Sequence, residues 1–255
     1  MDLMNNTNIV FLVEGDKEES LIKQLIHHFE TQSINAFPKA HIIIYKTCIY
    51  DLFKKLQADS DLDTFQELKD KDDKKILDGI EQQTMVSQIY LLFDYDPHAS
   101  NASDNKLQKL LDFFDDEFDK GKLYISYPMI EAFRHGYKII KSGSSIENLC
   151  NQHKIDELRN YKSHVSSLLP EIIHIDCIDT IKKLILESLF HAQHLVNTAF
   201  EYPTHKEIIS QINIFNKQKE KYSDENNYPF YILSSIPLFI FEYHKEEVFK
   251  QNFDI

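Results

Sequence analysis

The stretch that most limits what this chain can become is Asn8-Ile9-Val10-Phe11-Leu12-Val13-Glu14-Gly15-Asp16-Lys17-Glu18-Glu19. An apolar run of strand length stops abruptly at an acid and a glycine, and a helical pattern starts at once. Continuous apolar character without polar alternation is the mark of a parallel strand buried on both faces. Such a strand needs helices over the sheet, and its carboxyl end is where open α/β sheets place their ligands. The pattern recurs downstream, where Ile89-Tyr90-Leu91-Leu92-Phe93 runs into Asp94-Tyr95-Asp96.

Strand and helix signals alternate from there. Leu21, Ile22, Leu25, Ile26 and Phe29 recur at helical spacing and predict a helix from about Lys17 to Glu30. His41 to Tyr45 reads as the second strand, and a helix follows from about Ile49 to Leu56. The charged segment Asp59 to Asp78 reads as solvated helices and a surface loop. Gln88 to Phe93 is the third strand, stopped by Pro97 after Asp94-Tyr95-Asp96. Asp104 caps a helix carrying Leu107, Leu110, Leu111, Phe114 and Phe118, Gly121 ends it, and Lys122 to Ser126 is the fourth strand.

The expected fold class is therefore α/β, a parallel sheet flanked by helices. Beyond about Lys141 the period becomes helical, with Ser142-Gly143-Ser144-Ser145 at the change. Residues 1–141 are expected to form a metal-binding α/β domain and 142–255 a helical C-terminal domain. In the latter, a long helix follows Asp179 with Ile181, Leu184, Ile185, Leu189, Ala192, Leu195, Val196 and Ala199 on one stripe. A further helix is expected over Lys206 to Lys219, and another starts at Ser235 with Pro237 two residues on. The apolar run from Tyr228 to Tyr243 either packs inside or offers a face to a second protomer or partner.

Acids at two strand ends suit a hard divalent cation. Mg²⁺ prefers carboxylate oxygens and takes substrate phosphate into its shell, and Mn²⁺ serves similarly. Asp94 and Asp96 sit one residue apart where the chain leaves the sheet, and Glu14 faces them as ligand or general acid/base. Gly15 permits close approach of phosphate at a helix start, whose amides favour anions. Lys17 and Glu18 lie on the first turn of that helix, and Glu18 is a fourth candidate ligand. His98 follows the paired aspartates closely.

These motifs, in this order, resemble a Toprim domain, the metal-binding phosphotransfer module of topoisomerases, primases and several nuclease families. Ser126-Tyr127-Pro128-Met129-Ile130-Glu131-Ala132-Phe133-Arg134-His135 is similar to the stretch after the last Toprim strand in RloB-like and other abortive-infection, OLD-type Toprim proteins. The resemblance covers roughly residues 8 to 140 and implies an antiphage nuclease, often encoded with an ATPase of the ABC or OLD class. It implies metal ligation by Glu14, Glu18, Asp94 and Asp96 and a catalytic role for Glu14 and Glu131. Gly15, Lys17, His98, Ser126, Arg134 and His135 would then contact substrate. The chain departs from the RloB-like pattern after Glu131, where it reads Ala132-Phe133-Arg134 and has no tryptophan. Without the resemblance, Glu131 and His135 are a polar pair one helical turn apart.

Other chemistries find little footing. The five glycines, at 15, 79, 121, 136 and 143, build neither a P-loop nor a dinucleotide-binding fingerprint. No nucleophile elbow is present, and the histidines lack partners at zinc spacing. A receiver-like phosphoacceptor domain would not need Glu-Gly on its first strand or this helical tail. Three cysteines without C-x-x-C spacing suggest reduced thiols and a cytoplasmic protein, and no apolar run reaches membrane-span length. Two readings remain. The first is a Mg²⁺- or Mn²⁺-dependent nuclease acting on DNA or RNA, including tRNA, in phage defence. The second is a non-catalytic sensor or regulatory subunit binding metal or nucleotide and a partner protein. The net charge of −13 argues against a broad basic footprint and favours the second, whereas the intact set of acids favours the first.

Overall fold

All six residues of the first strand, β1 (Asn8–Val13), are buried, so its backbone polar groups must be answered from both sides. They are answered by β2 (Ala40–Ile44) and β3 (Val86–Asp94), both parallel to it, with Val13 opposite Ile44 on one side and Leu92 on the other. The computed structural model describes residues 8–31, 37, 39–59, 62–95, 103–147, 158, 160–169, 174–199, 201–222, 230–244, 249–250 and 253. Its five-stranded sheet runs β2-β1-β3-β5-β4, where β4 is Asp115–Asp116 and β5 is Gly121–Ser126. The short β4 runs antiparallel to its neighbour, β5. The α/β fold expected from the strand and helix alternation is the fold observed.

The chain divides into two compact units, Met1–Phe93 with Lys109–Leu123, and Asp94–Gln108 with Tyr124–Ile255. In the first unit, α1 (Asp16–Thr31) packs on β2 and buries Leu21, Ile22, Leu25 and Phe29. Each such side chain contributes about 1.5–3 kcal/mol on removal from water. Helix α2 (Ile49–Ala58) buries Ile49, Leu52 and Leu56. The charged segment is not wholly solvated. Asp63 caps α3 (Thr64–Lys71) by accepting the Gln66 N–H at 2.6 Å, and Phe65, Glu67 and Leu68 are buried. Asp70 and Lys71 are exposed on a helix whose inner face, Glu67 included, is buried.

The helix expected to carry Phe118 ends earlier, and α4 is Asp104–Phe113. Asp115 and Asp116 then pair with Lys122 and Gly121 as a hairpin, and Phe118 stands at its tip, 68% exposed. Asp116 makes the turn by accepting the Phe118 N–H at 2.8 Å, a bond that competes with helix. Gly121 therefore opens β5 rather than closing a helix. It holds φ +98°, and a Cβ there would lie 2.5 Å from Leu91 Cδ1.

The second unit is mainly helical and centres on α7 (Ile178–Asn197), after α5 (Glu131–Lys141) and α6 (Tyr161–Leu168). Helix α7 meets α5, α8 (Gln211–Tyr222) and α9 (Ser235–Tyr243). Gly136 lets α5 approach closely, since a Cβ there would sit 2.7 Å from Leu184 Cδ1. The single helix expected over Lys206 to Lys219 is two pieces, a 3₁₀ turn at Lys206–Ile209 and α8. Ser210 separates them and accepts the Asn213 N–H at 3.4 Å as a new cap. Residues 230–241 are all buried, so this part of the apolar run packs inside its own unit. Tyr127 and Leu233 exchange backbone bonds of 2.7 and 2.9 Å, which lays the segment before α9 against the end of β5. Among the described residues no helix is long and apolar enough to cross a membrane.

Two glycines with positive φ separate strain from crowding. Gly121→Ala should cost about 2–4 kcal/mol in urea unfolding, from the left-handed backbone and the clash with Leu91. Gly79→Ala, at φ +86° with open space around it, should cost only about 1 kcal/mol. Equal losses would remove the close packing of β5 on β3.

A pH dependence follows from His244. Burial, and then the Lys206 ammonium, hold its pKa down to about 4. A base depressed in the folded state binds fewer protons there than when unfolded, so stability is full above about pH 6.5 and falls as pH drops towards 4. The loss from this residue should approach about 3 kcal/mol. His191 and His194, also lowered by burial, act in the same direction. His244→Phe should flatten the urea-midpoint curve between pH 6.5 and 4; an unchanged slope would show that His244 does not carry it.

Candidate functional site

The strand order sets where a ligand would sit. After β1 the chain builds β2 on one side and then returns to build β3 on the other, so the topology reverses between β1 and β3. In open α/β sheets the carboxyl ends of strands at such a reversal form the ligand crevice. Glu14 follows the last residue of β1, and Asp94 is the last residue of β3. Those are the strand ends that the sequence marks with acids.

In the first unit, the Gly15 N–H donates to Glu18 Oε2 at 3.1 Å. Glu18 stands at the third helical position of α1 and reaches back to the residue before the helix, half of a capping box. A Cβ on Gly15 would lie 3.3 Å from that same oxygen, so glycine here makes room for a carboxylate. The anion expected at the helix start is thus supplied by the chain itself. Lys17 is half-buried on the same turn. Glu19 is buried and bonded to Lys23 at 2.9 Å and Lys74 at 3.3 Å. Burial pushes its carboxyl up, but these two ammonium groups outweigh burial and hold it below the ordinary carboxylate range.

In the second unit, Asp94 Oδ1 accepts the Ile130 N–H at 2.8 Å, immediately before Glu131 opens α5. Glu131 and Arg134 are both almost wholly buried and pair at 3.3 Å, so Glu131 bonds one turn on to Arg134 rather than to His135. His135 Nδ1 lies 3.3 Å from the Tyr161 hydroxyl, and its ring stands 5.7 Å from that of His164. Ser126 is buried, with its Oγ 2.8 Å from Ser235 Oγ and accepting the Ser235 N–H at 3.2 Å. Asp96 and His98 lie outside the described residues. The structure thus brings Gly15 to Glu18, Asp94 to the residue beside Glu131, and Glu131 to Arg134.

A carboxylate has about four lone-pair positions, so the bond from the Ile130 N–H is compatible with metal ligation by Asp94. Oxygen donors such as Glu14, Glu18 and Asp94 suit Mg²⁺ or Mn²⁺ better than a soft metal. Among the described residues, which omit Asp96, no three His, Cys, Asp or Glu side chains gather as a metal-holding group.

One cluster was not legible in the sequence. Glu67 is buried on α3, accepts the Tyr45 hydroxyl at 3.2 Å and is ion-paired with Lys55. Burial, and then the Glu67 charge, push the Tyr45 phenol upward. The available signal was Phe65 and Leu68 flanking Glu67 at helical spacing behind the Asp63 cap.

Compared with protein-family models, with curated proteins and with solved structures, the chain matches none.

The bond from Gly15 to Glu18 separates a capping role from a ligating one. Glu18→Ala should lose about 1 kcal/mol of stability, while Glu18→Gln, still an acceptor, should keep most of it. Urea unfolding with and without Mg²⁺ reads both roles. If Glu18 only caps, Glu18→Gln responds to Mg²⁺ as the parent does; a lost response with intact stability would make it a ligand.

Proposed function

We propose that this chain is a Mg²⁺- or Mn²⁺-dependent nuclease of the Toprim kind, cleaving nucleic-acid phosphodiesters as the effector of an antiphage, abortive-infection system. The observation that carries this reading is that β1 and β3, the parallel neighbours at the topological reversal, end in Glu14 and Asp94. In this reading Glu14, Asp94 and Asp96 would hold the cation, with Glu18 as a fourth candidate ligand. When bound, the ion supplies Lewis-acid polarisation of a phosphoryl oxygen and lowers the pKa of a bound water. Glu14 takes or returns a proton at the attacking water, and Lys17, on the first turn of α1, meets a phosphate oxygen. Glu131 shapes the end of α5 together with Arg134, and both act through position. A partner, an ATPase of the ABC or OLD class or a second copy, supplies the basic surface that a net charge of −13 does not.

A second reading has support of its own. Glu18 and Asp94 already serve local folding, by capping α1 and by holding the turn into α5. A regulatory subunit that binds metal or nucleotide at the same strand ends, without cutting, uses the same residues.

The two separate in one set of measurements. Purified chain, alone and together with its partner, given DNA and RNA substrates including tRNA, should cleave in at least one of these states with Mg²⁺ or Mn²⁺ and stop with chelator. Glu14→Ala and Asp94→Asn should each lose at least about a hundredfold in rate while staying folded. Mg²⁺ at about ten times its dissociation constant should raise the melting temperature by about 3–6 °C. A metal-dependent rise without cleavage favours the regulatory subunit, and undiminished cleavage by both variants would rule out this site.

A further inference from the structure

The second unit contains a cleft of about 320 Å³ that the metal-site reading does not use. It is lined by Ser145 and Glu147 after α5, by Glu187, Phe190 and His191 on α7, and by Tyr202. The volume lies at the lower end of the range for small-molecule sites. Its lining combines aromatic rings with carboxylates. Phe190 and Tyr202 meet edge to face with ring centres 5.6 Å apart, and Tyr202 keeps over a third of its surface in water. Beside them stand two carboxylates, Glu147 and Glu187.

Glu187 is held in place rather than loose. Its Oε2 accepts the Ser145 hydroxyl at 3.0 Å and the Ile146 N–H at 2.8 Å, while among the described residues Oε1 has Lys183 at 3.7 Å. A fixed carboxylate with one weakly satisfied oxygen is a ready acceptor for a charged donor. His191 is a second, independent sign. It is 4% exposed, and among the described residues its Nδ1 has no hydrogen-bond partner. Buried polar atoms of this kind are usually paired, by protein, water or ligand. Burial lowers the pKa of His191, against the opposing pull of Glu187 and Glu147 and with a smaller push from His194, so the ring is neutral near pH 7. A neutral ring offers an acceptor nitrogen as well as a donor.

We propose that this cleft binds a small organic cation, a primary amine or guanidinium carried on a flat apolar body. The carboxylates of Glu147 and Glu187 take the charge, and the rings of Phe190 and Tyr202 take the body and face the cation. A bare metal ion is a poorer occupant, because among the described residues no three His, Cys, Asp or Glu side chains gather closely enough to hold one. An anion is disfavoured by the two carboxylates, since among the described residues the lining holds no Lys or Arg. The site is independent of whether the chain cuts nucleic acid.

Isothermal titration of the full-length chain tests this with phenethylammonium, its neutral isostere phenethyl alcohol, and phenylacetate. The ammonium should saturate, with affinity at least about tenfold above the alcohol, and phenylacetate should not bind. Glu147→Gln, at an exposed position, should weaken the ammonium about threefold to tenfold, and adding Glu187→Gln, which keeps an acceptor for Ser145 and Ile146, should bring it to the level of the alcohol. Tyr202→Ala should weaken it about fivefold. The proposal is overturned if ammonium and alcohol bind alike, if Glu147→Gln binds the ammonium as the parent does, or if the ammonium gives no saturable heat.

Discussion

Six successive residues from Asn8 to Val13 lose contact with water on both faces, and this demand organises the first unit. An unanswered buried N–H or C=O costs about 1–3 kcal/mol, so β1 exists only with β2 and β3 alongside it. Both neighbours run parallel to it, which sends the connecting chain back across the sheet each time and supplies the helices that cover its faces. The same arrangement fixes where polar chemistry can emerge. From Ile9 to Val13 the buried side chains are all apolar, and the first acid, Glu14, stands where β1 ends. Asp94 does the same for β3.

The acids near those ends hold the backbone as well as marking a candidate site. Glu18 turns back to Gly15, and Asp94 reaches forward to Ile130. In each case a carboxylate satisfies an N–H at the start of a helix, where amides have no partner within the helix and the dipole favours negative charge. Folding and a phosphotransfer site therefore call on the same physical property, electropositive helix starts at strand ends. That shared origin explains why the two readings of this chain name the same residues.

In the second unit the organising element is α7, whose Ile181, Leu184, Ile185 and Leu189 are buried among α5, α8 and α9. The segment around Phe230 completes this core by adding to the end of β5 and stacking on Tyr95 at 5.8 Å. The Lys206 ammonium donates to the carbonyls of Glu242 and His244, closing the end of α9. Burial opposes the charging of His191 and His244, so both remove stability from this unit as pH falls.

Periodicity alone determined that β1, β2, β3 and β5 are strands, that α1 and α7 are helices, and that acids stand at the ends of β1 and β3. Burial repeats along the chain with the period of the local structure, so these features are written in neighbouring residues. Tertiary structure decided the rest. The end of α4 at Phe113 depends on Asp116 bonding Phe118 and on Gly121 fitting against Leu91. The break at Ser210 is a local cap whose strength relative to a continuous helix the residue types alone did not reveal. Glu67 looked solvated because its partners, Tyr45 and Lys55, lie 22 and 12 residues away. Asp94 meets Ile130 across 36 residues, and Leu233 meets Tyr127 across more than a hundred. A carboxylate's task depends on which distant N–H or ammonium the folded chain carries to it, and no local period encodes that distance.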